Sequence, residues 1–243
     1  MQRVRAEGAL ASGSPGSARL PRVLLVLSLV IVASALLFEI STPGYLLPME
    51  RPVAVFVAAS CLLSLAGTSV GALVASRSPR NPVGWILCGM GLSYGAWRLA
   101  EAYADYALLV RPGLPLGEVA AWISTWLRSP LLIALGVLVA LLFPDGKLLS
   151  ARWRVVALVA VGGAVLVALG DALRSGPLLA YYYVNNPFGI GGSVGGILPV
   201  SSLAEAATIV GGALLSAGCL ASIVALVLRL RRAYGSERRH LEW

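Results

Sequence analysis

Long apolar runs, separated by short segments rich in proline, glycine and arginine, dominate the pattern of this 243-residue chain. A helix that crosses a membrane needs about 20 mostly apolar residues. Six runs meet this requirement, at residues 23–40, 52–76, 83–103, 119–143, 155–173 and 201–228. The pattern therefore predicts an all-α fold, a polytopic membrane helical bundle with about six transmembrane helices.

The composition supports this interpretation. Hydrophobic residues make up 58% of the chain, charged residues make up 12%, and the mean hydropathy is +0.84. A soluble domain is typically about one quarter charged, so a soluble enzyme, a disordered chain and a secreted disulfide scaffold are all excluded. Cys61, Cys88 and Cys219 each lie inside an apolar run, without metal-ligand spacing. We interpret them as packing residues and predict neither a metal site nor a cofactor.

The distribution of basic residues predicts the orientation of the chain. The formal net charge is +8, and alternate sides of the six runs carry fourteen and three basic residues, with two more inside runs. Because basic loops stay in the cytoplasm, both termini are predicted to be cytoplasmic. The protein itself is predicted to lie in the cell membrane. We expect a disordered basic N-terminus at 1–22, a transmembrane domain at 23–228 and a basic tail at 229–243. Attraction to anionic lipid explains the positive charge, so no nucleic-acid partner is predicted.

Ionisable residues within the predicted spans indicate a polar region in one half of the membrane. Each such residue is costly in lipid unless it is paired or hydrated. In the third span, a spacing of three and four residues places several polar side chains on one helical face. The polar and aromatic residues that we assign to a ligand-binding or sensing hollow in the outer half are Tyr94, Arg98, Glu101, Trp126, Arg128 and Asp171. The alternative is structural pairing, with Arg98 bonded to Glu101 and Arg128 bonded to Glu101 or Asp171.

Other positions predict how the helices pack and move. Small-residue spacing such as Gly67-x-x-x-Gly71 and Gly91-x-x-x-Gly95 favours close helix contact in lipid. Proline inside a helix removes a backbone hydrogen bond, so Pro130 predicts a kink in the fourth span. We expect a signal to pass through this kink and the last span to the arginine-rich tail. The residues assigned to this relay are Pro130, Arg229, Arg231 and Arg232.

The sequence contains no recognisable catalytic set. The single histidine, His240, lies in the predicted tail and is best interpreted as a surface residue. The glycine-rich stretch at 189–196 lacks the Gly-Lys-Ser/Thr ending of a phosphate-binding loop. The chain is therefore not expected to be an enzyme.

Several polar segments resemble the N-terminal multi-pass membrane region, the input region, of bacterial sensor histidine kinases. The resemblance covers residues 81–243 and rests on residues 80–87 (RNPVGWIL), 143–154 (FPDGKLLSARWR), 186–190 (NPFGI) and 232–243 (RAYGSERRHLEW). In that family a dimerising kinase core follows the membrane helices, and these 243 residues contain no such core.

The resemblance implies an integral membrane signal-input module without a catalytic domain of its own. Its implied partners are the lipid bilayer and a kinase core, either in trans or missing in cis, and a homodimer is compatible with this role. The alternative is a small transporter or permease-like membrane subunit, which intramembrane charges would also suit. A purely structural membrane subunit is a third alternative.

Overall fold

The computed structural model describes residues 19–43, 54–127, 130–194 and 198–240. About four fifths of the described residues are helical. The helices are α1 (Arg19–Ser41), α2 (Ala54–Arg77), α3 (Pro82–Asp105), α4 (Gly117–Leu127), α5 (Pro130–Leu142), α6 (Trp153–Leu173) and α7 (Val200–His240). A π-helical turn, Tyr106–Val110, extends α3, and two antiparallel two-residue strands, β1 (Ser193–Val194) and β2 (Leu198–Pro199), precede α7.

Five segments of the described chain are long and apolar enough to cross a membrane: Arg19–Ser41, Val55–Arg77, Gly117–Leu142, Trp153–Leu173 and Val200–Arg229. The predicted all-α membrane fold is confirmed at this level. Helix α3 has the length of a span but does not meet the same apolarity, because Arg98, Glu101 and Asp105 lie within it. The sixth span and the orientation of the termini stay predictions.

The helix bounds differ from the predicted ones in three places. Helix α1 begins at Arg19, so residues 19–22 belong to its first turn, and residues 1–18 lie outside the described chain. Helix α7 continues through the predicted tail to His240, because no proline interrupts this stretch. The fourth predicted span contains α4 and α5, and Arg128 and Ser129 between them lie outside the described residues. The kink at Pro130, the first residue of α5, therefore stays a prediction.

The bundle has two groups of three helices. Helices α1, α2 and α3 pack on one another, as do α5, α6 and α7, and the pairs α3–α4, α4–α6 and α3–α5 join the two groups. A core of small and aliphatic side chains lies between α5, α6 and α7, including Ala134, Val137, Leu141, Ala160 and Leu215.

Glycine allows the closest approach within each group, and in the α1–α3 group this agrees with the predicted small-residue spacing. In α2, a Cβ on Gly71 would lie 2.5 Å from the backbone nitrogen of Cys88 in α3. In α6, a Cβ on Gly163 would lie 2.7 Å from the carbonyl oxygen of Gly211 in α7, and one on Gly211 would lie 2.6 Å from that of Gly163. Because real Cβ atoms do not approach so closely, both interfaces require glycine at these positions.

The surface of the bundle is apolar. Large side chains that point outward are more than half exposed in several helices, for example Ile40 at 82%, Leu158 at 72% and Ile209 at 72%. A soluble protein rarely exposes so much contiguous apolar surface, whereas lipid tails accommodate it. The exposed surface therefore supports a multi-pass membrane protein independently of the helix lengths.

The two ends of the bundle differ in their connections. We call the end that carries the α2–α3 turn (78–81) and the α5–α6 turn (143–152) the basic end. We call the opposite end the loop end, since it carries the α3–α4 connection and the long loop at 174–199. Helix α3 runs from one end to the other, from Asn81 at its N-cap to Asp105.

Candidate functional site

A buried ion cluster lies near the loop end of the α1–α3 group. Arg98 donates hydrogen bonds from its two terminal nitrogens, one to the Glu101 carboxylate and the other, at 2.8 Å, to Glu39 Oε2. Arg98 and Glu101 are 4% and 8% exposed, so this pairing takes place away from solvent. The structure thus contains the local Arg98–Glu101 pair that sequence reasoning kept as the structural alternative.

One aromatic ring lies against the guanidinium of this cluster, and a second ring packs on the first. Arg98 Cζ lies 5.6 Å from the centre of the Trp97 ring, within the distance of a cation–π contact. Tyr94, one of the predicted site residues, meets Trp97 edge-on at a centroid distance of 5.3 Å. Tyr94, Arg98 and Glu101 therefore belong to one local arrangement on α3, as their spacing predicts.

The long loop after α6 reaches this arrangement through Tyr181. The hydroxyl of Tyr181 donates to the backbone carbonyl of Glu101 at 3.3 Å, and the side chain is fully buried. It packs among Ala104, Ala120 and Ala121 of α3 and α4. The loop is thus inserted into the helix bundle, and a change in its position would alter the hydrogen bond to Glu101.

The same loop also covers the end of α6. The Asn186 amide donates to the carbonyl oxygens of Ala172 at 2.9 Å and Arg174 at 2.8 Å, at the end of α6, where the last carbonyls have no partner within the helix. Trp122 Nε1 donates to Ala172 O at 2.8 Å, and its ring lies 4.6 Å from that of Phe188. The loop, α4 and α6 are therefore fixed to one another.

The remaining predicted site residues lie elsewhere. The Trp126 ring packs at 5.5 Å against Trp122 on α4. Asp171 lies at the α6–α7 interface, where Thr208 Oγ1 donates to it at 3.2 Å. Arg128 lies outside the described residues, so nothing tests its predicted pairing. The structure gathers Tyr94, Arg98 and Glu101 on α3 and assigns Trp126 and Asp171 to other contacts.

A second cluster lies at the basic end, and we call it the clasp: Asn81, Pro144, Gly146, Lys147 and Arg229. Arg229 of α7 donates from its guanidinium to the carbonyl oxygens of Leu141 and Lys147. The bond to Leu141 therefore satisfies a carbonyl oxygen at the C-terminus of α5, and the bond to Lys147 attaches Arg229 to the turn that follows. The last helix is tied in this way to the α5–α6 turn.

Asn81 links the start of α3 to the same turn. Its side-chain oxygen accepts from the Val83 nitrogen at 3.0 Å, which is a helix N-cap, and its amide nitrogen donates to Pro144 O at 3.0 Å. A Cβ on Gly146, whose φ is +71°, would lie 2.6 Å from Asn81 Oδ1. Only glycine suits this position, because the backbone is left-handed and the space is occupied.

The other predicted relay residues make less defined contributions. Pro130 is buried at the start of α5, and Arg231 is exposed on α7. Arg232 lies in α7, but its side chain is outside what the structure describes. Of the four predicted relay residues, Arg229 is the one whose described contacts join separate elements.

Two grooves open beside the clasp. One, of about 670 Å³, runs between α6 and α7 and is lined by Ser150, Arg152, Trp153, Val156, Ala221 and Val224. The other, of about 450 Å³, is lined by Leu142, Gly146, Lys147, Leu148, Ser150, Ala151 and Arg154. Within the described part of the chain, no group of three or more histidine, cysteine or acidic residues is placed to hold a metal ion.

Glu39 is part of the ion cluster but is not among the site residues predicted from the sequence. A lone acid at a span terminus can face water, so no local signal connects it to Arg98. Tyr181 was missed entirely, because a tyrosine in a polar loop 80 positions from Glu101 carries no periodic signal. Asn81 and Lys147 were recognised only through the resemblance of their segments.

Comparison with protein-family models, with curated proteins and with solved structures finds no match to this chain.

Proposed function

We propose that the chain is a membrane-embedded signal-input module that works with a histidine kinase core, in cis or in trans. One observation carries the proposal: the segment at 143–154, on which the resemblance rests, contacts the last helix through Arg229 and the start of α3 through Asn81 of the segment at 80–87. A module that transmits a signal requires such a junction, where the exit helix contacts the rest of the bundle. A purely structural subunit has no need of it.

The stimulus side of this proposal is the ion cluster with the Tyr181 loop. Helix α3 carries Asn81 at one end and Arg98 seventeen residues later, which corresponds to about 25 Å at 1.5 Å per residue. Because a helix is stiff over this length, a shift of α3 at Arg98 would also displace Asn81. The proposed route is therefore from the loop to Glu101, along α3 to Asn81, and through the α5–α6 turn to Arg229.

A stimulus changes the output only if it interacts differently with two arrangements of the bundle. In this proposal the arrangements differ in the position of α7 relative to the α5–α6 turn, with the Arg229 bonds made in one and released in the other. The basic end faces the cytoplasm, where a kinase core would lie. The stimulus reaches the loop end from the opposite side.

The test joins residues 1–240 to a histidine kinase core through α7, with zero to four alanines inserted at the junction. Each fusion is reconstituted in nanodiscs, and autophosphorylation is measured with labelled ATP. We expect the rate to rise and fall with the helical phase of the junction. Arg229→Gln should flatten this dependence, whereas Arg231→Gln, which changes an exposed arginine nearby, should leave it intact.

Equal autophosphorylation in all five fusions would contradict the proposal, since the exit helix would then impose no orientation on the core. Solute flux through proteoliposomes that contain the unfused chain would favour the transporter alternative. The two measurements are independent, so each alternative has its own positive result.

A further inference from the structure

The groove between α6 and α7 is polar at one end and apolar at the other. Ser150 and Arg152 lie at the basic end, in the turn before α6, and Val156, Ala221 and Val224 continue the groove along the two helices. Arg152 is exposed, and Val224 is 54% exposed. Among the described residues Arg152 forms no ion pair, so the charge at one end of the groove and the apolar surface at the other are available to a ligand.

The position of the groove in the membrane follows from α6. This helix is of membrane-spanning length and apolarity and begins at Trp153. Val155 and Leu158, next to the groove, are 62% and 72% exposed, and such surface suits hydrocarbon rather than water. Tryptophan is typical of the boundary between hydrocarbon and headgroups. Arg152 therefore lies at headgroup level and Val156 at the level of the acyl chains.

The charge of the groove selects the kind of headgroup. No carboxylate is among its described lining residues, and the neighbouring groove, which shares Ser150, adds Lys147 and Arg154. A guanidinium binds phosphate through charge-assisted hydrogen bonds. A zwitterionic headgroup would bring a positively charged ammonium group into this positive region, whereas an anionic headgroup brings only negative charge.

We infer that this groove is a binding site for one anionic phospholipid, with its phosphate on Arg152 and Ser150 and an acyl chain along Val156, Ala221 and Val224. The apolar half of the groove requires a ligand with a hydrocarbon chain, which excludes a free phosphate. The bound lipid bridges α6 and α7 on the side of the bundle next to the clasp. This site does not depend on the proposed signalling function.

The experiment uses the full chain, purified in a mild detergent and mixed with equal amounts of phosphatidylglycerol and phosphatidylcholine that carry the same acyl chains. Native mass spectrometry then counts the lipid that stays bound. The wild type should retain phosphatidylglycerol in preference to phosphatidylcholine. Arg152→Gln should lower the retained phosphatidylglycerol about fivefold, the factor that corresponds to one basic residue at a lipid surface.

A second variant tests the apolar half of the groove. Val224→Trp fills the space beside Val156 and should also lower the retained lipid, while Arg152 is left in place. Two matched controls are Arg80→Gln, an exposed arginine of the α2–α3 turn, and Arg154→Gln in the neighbouring groove. Arg80→Gln should retain phosphatidylglycerol at the wild-type level, and Arg154→Gln should lower the retained lipid less than Arg152→Gln does. Circular dichroism should show unchanged helix content in all variants.

Three results would overturn the inference. Equal retention of the two lipids would show that the headgroup charge is not recognised. A loss in Arg154→Gln as large as that in Arg152→Gln would place the phosphate in the neighbouring groove. Displacement of the lipid by millimolar glycerol phosphate would show that the acyl chain contributes nothing to binding.

Discussion

The helices before Pro130 and the helices after it are packed by the same device but differ in what they bury. Both groups use glycine at the closest helix contacts, Gly71 in the first and Gly163 and Gly211 in the second. Among the described residues of the helices, however, the buried polar and charged side chains all precede Pro130, except Ser222. The α5–α7 group has an aliphatic core and places its main polar contacts at the ends.

This difference indicates that the two helix groups respond differently to a change in charge. Buried ion pairs add little net stability, since desolvation offsets their attraction, but breaking one is costly. An α1–α3 group that contains such a cluster is therefore sensitive to any change in its charge balance. The α5–α7 group, with its aliphatic core, lacks that sensitivity, and the Asn81–Pro144 bond of the clasp is one of the contacts that join it to α3.

The largest expected effect comes from removing the buried cation. Arg98→Leu leaves the buried Glu101 and the partly exposed Glu39 without their described guanidinium partner, and should destabilise the fold by about 3–5 kcal/mol. Unfolding in mixed micelles with increasing dodecyl sulfate measures this change. Arg111→Leu, which removes an exposed arginine at the loop end, serves as the control.

Equal unfolding midpoints for these two variants would show that the cluster carries no stability. In that case the buried charges would not distinguish the two helix groups in their contribution to the free energy of unfolding.

The next effect tests whether the glycine contacts of the two groups are equivalent. Gly71→Ala and Gly211→Ala each place a Cβ closer than 3 Å to backbone atoms of the facing helix and should each cost about 1–3 kcal/mol. Gly89→Ala and Gly212→Ala are matched controls, since a Cβ there meets no atom within 4 Å. The same unfolding assay applies. If one of the first two variants behaves like its control, that helix group is more adaptable than the other.

A smaller effect is expected at the clasp. Arg229→Gln removes the charge from two bonds to carbonyl oxygens in a partly buried place and should cost about 1.5 kcal/mol, the lower end of the range for charged hydrogen bonds. Hydrogen exchange of the turn at 143–150 should accelerate, while exchange around Arg98 should not change. Faster exchange at both ends would mean that the two helix groups unfold together and are not separate units.

The smallest effect separates two roles of one side chain. Asn81→Ala removes both the helix cap and the bond to Pro144, and should cost about 1 kcal/mol. Asn81→Asp keeps an acceptor for the Val83 nitrogen but lacks the donor for Pro144. Thermal unfolding should therefore rank Asp between Asn and Ala, and equal values for Asp and Asn would assign the whole effect to the cap.

The sequence predicts the helices well because span length is a local property. The predicted run at 155–173 and the helix Trp153–Leu173 differ by two residues at one end. The Arg98–Glu101 pair could also be predicted from the sequence, because a spacing of three residues places two side chains on one helical face. The glycine contacts at Gly71 and Gly91 follow in the same way from their periodic spacing.

Contacts between distant segments could not be predicted in this way. Glu39 lies 59 positions from Arg98, and Arg229 lies 82 positions from Lys147, so neither pair leaves a periodic pattern. The bonds at Leu141 and Lys147 go to backbone carbonyls, which every residue possesses, and the identity of those residues therefore says nothing about the contact. Such sites depend on helix order and packing, which composition and spacing leave open.

Helix α7 has a mechanical consequence of its own. Its 41 residues correspond to about 60 Å, roughly twice the thickness of the hydrocarbon layer. The helix therefore extends as a rod well beyond the lipid, and Arg229 holds it near the point where it leaves the bilayer. A tilt of a few degrees about that fulcrum would sweep the far end sideways by several times the displacement at the fulcrum, so this helix has the geometry of a lever.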